Sequence, residues 1–294
     1  MPTNWSKFSA PDIRDPGPFD GQIILYHYCD ANAFVNILKT GKIWLSHRAS
    51  LNDTQEGKWV LTLLSEMTEK TSDLETKGFL ENIRFSLEDE LHDIFLCSFS
   101  KQGDQLGQWR AYADNGAGFA LGFRPENFDV PFQIPAQTTV PEESLGFVEM
   151  VYKSRMTSSG IVVQIVSECL GGERTPESIR ACVQELREIA LQLKNPSFEE
   201  EQEVRLAYTP TLRSKIPEPG VRIKGVLQGI KFRPARFGVT AYFEVPFTTL
   251  GTEDALAQVM VGPRNLSDPA TLYALLSEHG FHRARIKLST ASYR

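Results

Sequence analysis

Glu201 and Glu203 stand two apart in the run Glu199-Glu200-Glu201-Gln202-Glu203-Val204-Arg205-Leu206. Read as the mouth of a strand, this spacing puts both carboxylates on one face. Adjacent carboxylates raise each other's pKa, and such pairs serve proton transfer or stabilise a developing positive charge. The same run also reads as a charged loop at a strand mouth, with Arg205 as its ionic partner. Upstream, His27 interrupts the apolar strand pattern Ile23-Ile24-Leu25-Tyr26-His27-Tyr28. Its chemistry would be a hydrogen bond to a ligand hydroxyl or carbonyl, and its ordinary role would be a satisfied core histidine. Ser98 and Ser100 close a third strand pattern, Phe95 to Ser100. No Gly-x-Ser-x-Gly elbow surrounds them, so they read as hydrogen-bonding groups or strand terminators rather than as a hydrolase nucleophile.

The elements that must position these residues alternate between strands and helices. Strand patterns cover Ile23 to Tyr28, Lys42 to Ser46, Ile94 to Ser100, Gly118 to Phe123, Phe147 to Tyr152, Glu203 to Tyr208, Val221 to Phe232, Tyr242 to Val245, Ala257 to Val261 and Arg285 to Ser289. Asp30 caps a short helix carrying Phe34, Ile37 and Leu38, which Gly41 stops. Leu51-Asn52-Asp53 turns the chain into an acidic helical region. Gln108 to Ala113 reads as one or two helical turns. From about Thr157 to Asn195 the pattern is helical, with Ile179, Cys182, Val183, Leu186, Ile189, Ala190 and Leu193 forming an apolar stripe. The class is α+β. Residues 1–20 read as a loose arm, and residues 21–294 as one domain with a helical insertion at about 157–195.

Gly116-Ala117-Gly118-Phe119-Ala120-Leu121-Gly122 is not a dinucleotide fingerprint. Its glycines lead into a strand, whereas a Rossmann loop leads into a helix. Tyr112 and Phe119 read as core aromatics, either of which could instead stack on a planar ligand ring. His279 and His282 straddle Gly280 with no third ligand in the pattern, so no metal site is expected. Cys29, Cys97, Cys169 and Cys182 show no paired spacing, and Cys97, Cys169 and Cys182 read as small buried hydrophobes.

The chain has 294 residues and a formal net charge of −6. That balance disfavours a broad phosphate-gripping surface. Arg222, Lys224, Lys231, Arg233 and Arg236 do cluster, and read as a solvated strand face. No apolar run reaches the length of a membrane span, and no export signal precedes the first strand, so the expectation is a cytoplasmic protein without a membrane partner.

Taken together, His27, Ser98-Phe99-Ser100 and Glu201-Gln202-Glu203-Val204 resemble the three-part signature of the ADP-ribosyltransferase superfamily. Those enzymes carry an Arg or His, then a Ser- or Tyr-bearing strand, then a Glu. The layout of Leu25-Tyr26-His27-Tyr28, Trp44-Leu45-Ser46, Leu51-Asn52-Asp53, Trp109-Arg110-Ala111-Tyr112-Ala113 and Gly262-Pro263 is similar to the bacterial domain-of-unknown-function 2971 family. The first resemblance implies an ADP-ribosyltransferase-like fold of split, bent antiparallel β-sheets with flanking helices. It implies NAD as substrate and rupture of the nicotinamide–ribose bond. ADP-ribose would pass to an unknown macromolecular acceptor, protein or nucleic acid, in phage defence or toxin–antitoxin conflict. Glu203 would stabilise the ribose cation and Glu201 would orient or deprotonate the acceptor. His27, with Tyr28 beside it, would hold a ribose, while Ser98 and Ser100 would brace the glutamate or a ribose. Tyr112 or Phe119 would stack on nicotinamide. The alternatives are an NAD glycohydrolase and an inactive ligand-binding or regulatory module on the same fold. The transferase needs Glu203 desolvated in a groove beside His27, whereas a binding module can leave it in solvent with Arg205.

Overall fold

Asp30 accepts a hydrogen bond from the Ala33 N–H at 2.7 Å and starts the first helix, which Gly41 ends in the left-handed conformation at φ 62°. That unit follows β1 (Leu25–Cys29), runs as α1 (Ala31–Thr40) and leads into β2 (Lys42–His47). The computed structural model describes residues 23–50, 58–138, 140–210, 229–235, 238–248 and 255–292. The proposed N-terminal arm, Leu51-Asn52-Asp53, and Arg222, Lys224 and Arg236 lie outside the described residues. Next come α2 (Lys58–Lys70), α3 (Leu74–Glu90), β3 (Phe95–Ser100), α4 (Leu106–Tyr112) and β4 (Phe119–Phe123). The chain continues through α5 (Pro141–Ser144), β5 (Leu145–Glu149) and β6 (Val151–Tyr152), then α6 (Arg155–Gly171), α7 (Pro176–Gln192) and β7 (Leu193–Lys194). It closes with β8 (Glu203–Tyr208), β9 (Lys231–Ala235), β10 (Gly238–Pro246), β11 (Leu256–Val261), α8 (Pro269–Glu278) and β12 (Arg285–Leu288).

The strands form a 10-stranded sheet whose main path is β12-β11-β4-β1-β3-β2-β10-β9, with β8 and β5 attached through β3. The sheet splits at β3. One edge of β3 pairs with β8 along its whole length, from Phe95 opposite Tyr208 to Ser100 opposite Glu203. The other edge is divided. Phe95 and Leu96 pair with β2, Ser100 pairs with Tyr26 of β1, and Cys97, Ser98 and Phe99 lie between the two diverging strands. The sheet is mixed rather than antiparallel: β11 and β12 run parallel, as do β6 and β7 in a separate two-stranded ladder. The chain reaches β12 from β11 through α8, the helical crossover that a parallel neighbour requires.

Strand alternation divides the core. Phe95, Cys97 and Phe99 join Val204, Leu206 and Tyr208 in one aromatic-rich cluster with Phe123 and Phe243. Leu96 and Ala207, on the opposite face, pack under α2, α3, α6 and α7. The stretch read as helical from about Thr157 to Asn195 holds two helices, broken between Gly171 and Pro176, that share a core with α2 and α3. Pro176 opens α7 behind the capping residue Thr175, and Ser178 completes the capping box. Among the described residues no helix is long and apolar enough to cross a membrane.

Candidate active site

The turn before β8 sets the two glutamates. Asn195 caps a 3₁₀ turn over Pro196–Glu201, and Gln202 leaves it in the left-handed region at φ 42°. Glu201 therefore belongs to the turn and only Glu203 to the strand. The carboxylates are drawn together by a buried cation, not by strand alternation. Lys194, at the end of β7, donates to Glu201 Oε2 at 2.6 Å and to Glu203 Oε2 at 2.7 Å. Arg205, two residues along β8 on the same face, donates through Nε to Glu203 Oε1 at 2.8 Å and through Nη2 to Oε2 at 2.9 Å.

Glu203 is only 5% exposed. Burial alone would raise its pKa, but Arg205 and then Lys194 outweigh it and hold the carboxyl at about 2. An ionised carboxylate offers about four lone-pair positions. Three are taken, which leaves one on Oε1. The backbone is pinned as firmly: Glu203 N–H donates to the Tyr152 hydroxyl at 2.8 Å. Ser100 Oγ donates to the Glu201 carbonyl at 2.7 Å and accepts from the Gln102 N–H at 3.0 Å. The Ser100 hydroxyl thus braces the glutamate turn, while Ser98 is the exposed member of β3.

His27 approaches from the other side of the sheet. Tyr26 pairs with Ser100, so alternation puts Tyr26 on the face of Ser100 and Glu203 and turns His27 the opposite way. Its ring lies 5.8 Å from that of Phe99, and its Nδ1 lies 3.1 Å from the Ser98 carbonyl. Cys97 Sγ lies 3.4 Å from the same nitrogen. A carbonyl only accepts, so the Nδ1–H tautomer is the one that satisfies the Ser98 contact, and it leaves the Nε2 lone pair without a partner among the described residues. Burial lowers the pKa of the imidazole, opposed by the Ser98 contact. The neutral form therefore favours the fold. Its contribution is present above the ordinary value of 6.5 and is lost as pH falls through the depressed folded value. We expect nitrogen-detected NMR to show His27 as the Nδ1–H tautomer, titrating below 6.5. An Nε2–H tautomer, or a midpoint above that value, contradicts this assignment.

The split in the sheet joins the two faces. A cavity of about 500 Å³ opens between β1 and β2, and His27, Ser98, Ser100, Tyr112, Glu201 and Glu203 all line it. Ligand pockets run to roughly 300–1,000 Å³. Tyr112 donates its hydroxyl to Glu201 Oε1 at 3.2 Å, and burial followed by the Glu201 charge pushes its pKa up to about 12. Tyr28 also borders the cavity, but its hydroxyl is spent on the loop after β3, donating to the Gln102 carbonyl at 2.8 Å and accepting from the Gln105 N–H at 3.1 Å. Phe119 is not brought to the cavity. It is buried in the core, stacked on Phe34 at 4.0 Å between ring centroids. Every residue of β4 is buried, so an aromatic there has no open face to offer.

Sequence reasoning missed Lys194, which also lines the cavity, and assigned Arg233 to a solvated face. A lysine at the end of an apolar helical stripe carries no signal of burial, and Lys194 is buried because the β6–β7 ladder draws it beneath the glutamates. Arg205 was legible only as a possible ionic partner.

Residues 108–206 match the model of a family described as protein of unknown function (DUF2971). The matched stretch runs from α4 to β8 and includes Tyr112, Lys194, Glu201, Glu203 and Arg205. No curated protein and no solved structure matches the chain.

Proposed function

Taking the chain as a DUF2971-family sequence over residues 108–206, we propose that the cavity binds NAD and that the protein is an ADP-ribosyltransferase. The observation that carries the reading is the convergence of His27, Ser98, Ser100, Glu201 and Glu203, from three distant parts of the chain, on a single cavity at the split in the sheet. The residues can be assigned roles from their geometry. The open lone pair on Glu203 Oε1 accepts a hydroxyl of the nicotinamide ribose. His27 Nε2 accepts a second ribose hydroxyl, and Tyr112, which lines the same cavity, stacks on the nicotinamide ring. As the glycosidic bond breaks, its electron pair leaves with nicotinamide and positive charge grows on the ribose. The ionised Glu203 stabilises that charge. An acceptor nucleophile then bonds to the anomeric carbon and gives its proton to Glu201. The acceptor is a macromolecule, protein or nucleic acid. With water in its place the same steps make a glycohydrolase.

One observation favours a second reading, a ligand-binding module without turnover. Lys194 and Arg205 balance the charges of Glu201 and Glu203, which weakens the field available to a cation. Free nicotinamide decides between the two. The purified protein is incubated with NAD, alone and with bacterial extract as a source of acceptors. Release that needs extract supports the transferase, and release in buffer alone supports the glycohydrolase. No release under either condition overturns the enzymatic reading in favour of the binding module.

A further inference from the structure

Trp44 and Ser46 of β2 and Arg233 of β9 line the cavity on the side of β3 away from β8. Tyr242 pairs with Ser46 and with Lys231, while Arg233 pairs with Thr240. Alternation therefore puts Trp44, Ser46, Tyr242, Lys231 and Arg233 on a common face. This face continues through β3 to Ser98 and Ser100, so it shares a surface with the glutamates.

Arg233 is chemically unlike the other cations there. Lys194 and Arg205 are each paired with carboxylate, and Lys231 on the same strand pairs with Glu244 at 2.7 Å. Arg233 has no carboxylate partner among the described residues. Its guanidinium lies 5.6 Å from the Trp44 ring centroid, and its Nη2 donates to Ser46 Oγ at 3.0 Å. Its Nε is shielded from solvent and has no hydrogen-bond partner among the described residues. Ser46 is buried, and its hydroxyl, having accepted from Arg233, still holds a hydrogen to donate. Arg233 and Ser46 both line the cavity, and the charged guanidinium keeps one N–H without an acceptor among the described residues. Buried donors left unmet are costly, and a guanidinium fork matches the oxygens of a phosphate.

We propose that Arg233 and Ser46, backed by Trp44, form a phosphate subsite on the β2 and β9 side of the cavity. The ligand it takes carries a phosphate or pyrophosphate group. Read with the nucleotide site above, on which this assignment of ligand class rests, the subsite grips the pyrophosphate while the ribose lies toward His27 and Glu203.

Calorimetric titration with ADP-ribose, pyrophosphate and adenosine tests the subsite without requiring turnover. Wild-type protein is expected to bind ADP-ribose, and Arg233→Gln to weaken that binding at least about tenfold, as expected for loss of a charge-assisted contact. Arg233→Lys restores part of the affinity. Lys231→Ala removes the same charge two residues away and leaves affinity within about twofold, as expected for a solvent-facing charge. Adenosine binding does not change with Arg233→Gln. If ADP-ribose binds Arg233→Gln as it binds wild type, or if adenosine binding falls in step with it, the subsite is refuted. Absence of both ADP-ribose and pyrophosphate binding to wild type refutes it as well. Arg233-dependent binding of pyrophosphate by a protein that releases no nicotinamide leaves the subsite standing and removes the NAD-cleaving activity.

Discussion

Glu203→Gln is expected to lower nicotinamide release by roughly 10²–10³-fold, the range for losing one preorganised electrostatic group. It is also expected to remove about 3 kcal/mol of stability at neutral pH. The second effect follows from linkage. The carboxyl ordinarily titrates near 4.5 and is held at about 2 in the folded protein. At about 1.4 kcal/mol per pKa unit, this depression is worth about 3 kcal/mol. The folded pKa is the lower one, so the contribution is complete above 4.5 and is lost as pH falls from there to about 2. Glutamine keeps the shape but not the charge. Its carbonyl can still accept from Arg205, while its amide turns a donor toward cations that have lost their counter-charge. Urea melts at neutral pH and at about pH 3 separate the effects: the variant starts less stable and loses less on acidification. Nicotinamide release is measured well below the variant's melting temperature. A variant as stable as wild type at neutral pH shows that the Glu203 ion pairs contribute nothing net. A variant that still cleaves NAD at the wild-type rate removes Glu203 from the chemistry.

Local elements were legible because their signals are local. Asp30 and Gly41 bracket α1 by cap chemistry alone, and the stripe from Ile179 to Leu193 follows the helical period of α7. Glu203 to Tyr208 is the strand that its residues suggest. The cavity was legible only as a coincidence of residue types. Its cause is the division of one edge of β3 between β1 and β2, a pairing between segments far apart in the chain that no local pattern encodes. The same non-locality explains the details that changed. Glu201 and Glu203 meet through Lys194 because a left-handed Gln202 ends the preceding turn, so the two-residue strand rule does not apply to them. Phe119 could have been placed from sequence. The unbroken apolar run Phe119-Ala120-Leu121-Gly122-Phe123 is the mark of a strand buried on both faces.

Lys194→Met is the sharper probe of how the site is held. The side chain is buried, 6% exposed, between Glu201 and Glu203 and 5.0 Å from the Phe198 ring. Methionine fills similar space without charge, so packing is largely kept. Removing one partner of a buried ion pair costs about 3–5 kcal/mol, and this change leaves two carboxylates facing each other with Arg205 as the remaining cation. Arg205 still holds Glu203 by two hydrogen bonds, so the folded pKa of that carboxyl is depressed less than in wild type. The variant therefore loses less stability than wild type as pH falls below 4.5. Thermal melts are expected to show a larger deficit for Lys194→Met at about pH 7 than at about pH 3. An equal deficit at both values makes the role of Lys194 one of packing. Lys194 touches no reacting atom in the proposed chemistry and acts as a positioning residue that, with Arg205, holds Glu203 ionised. The rising limb of the variant's nicotinamide-release profile should accordingly move to higher pH, a shift that loss of packing alone does not produce.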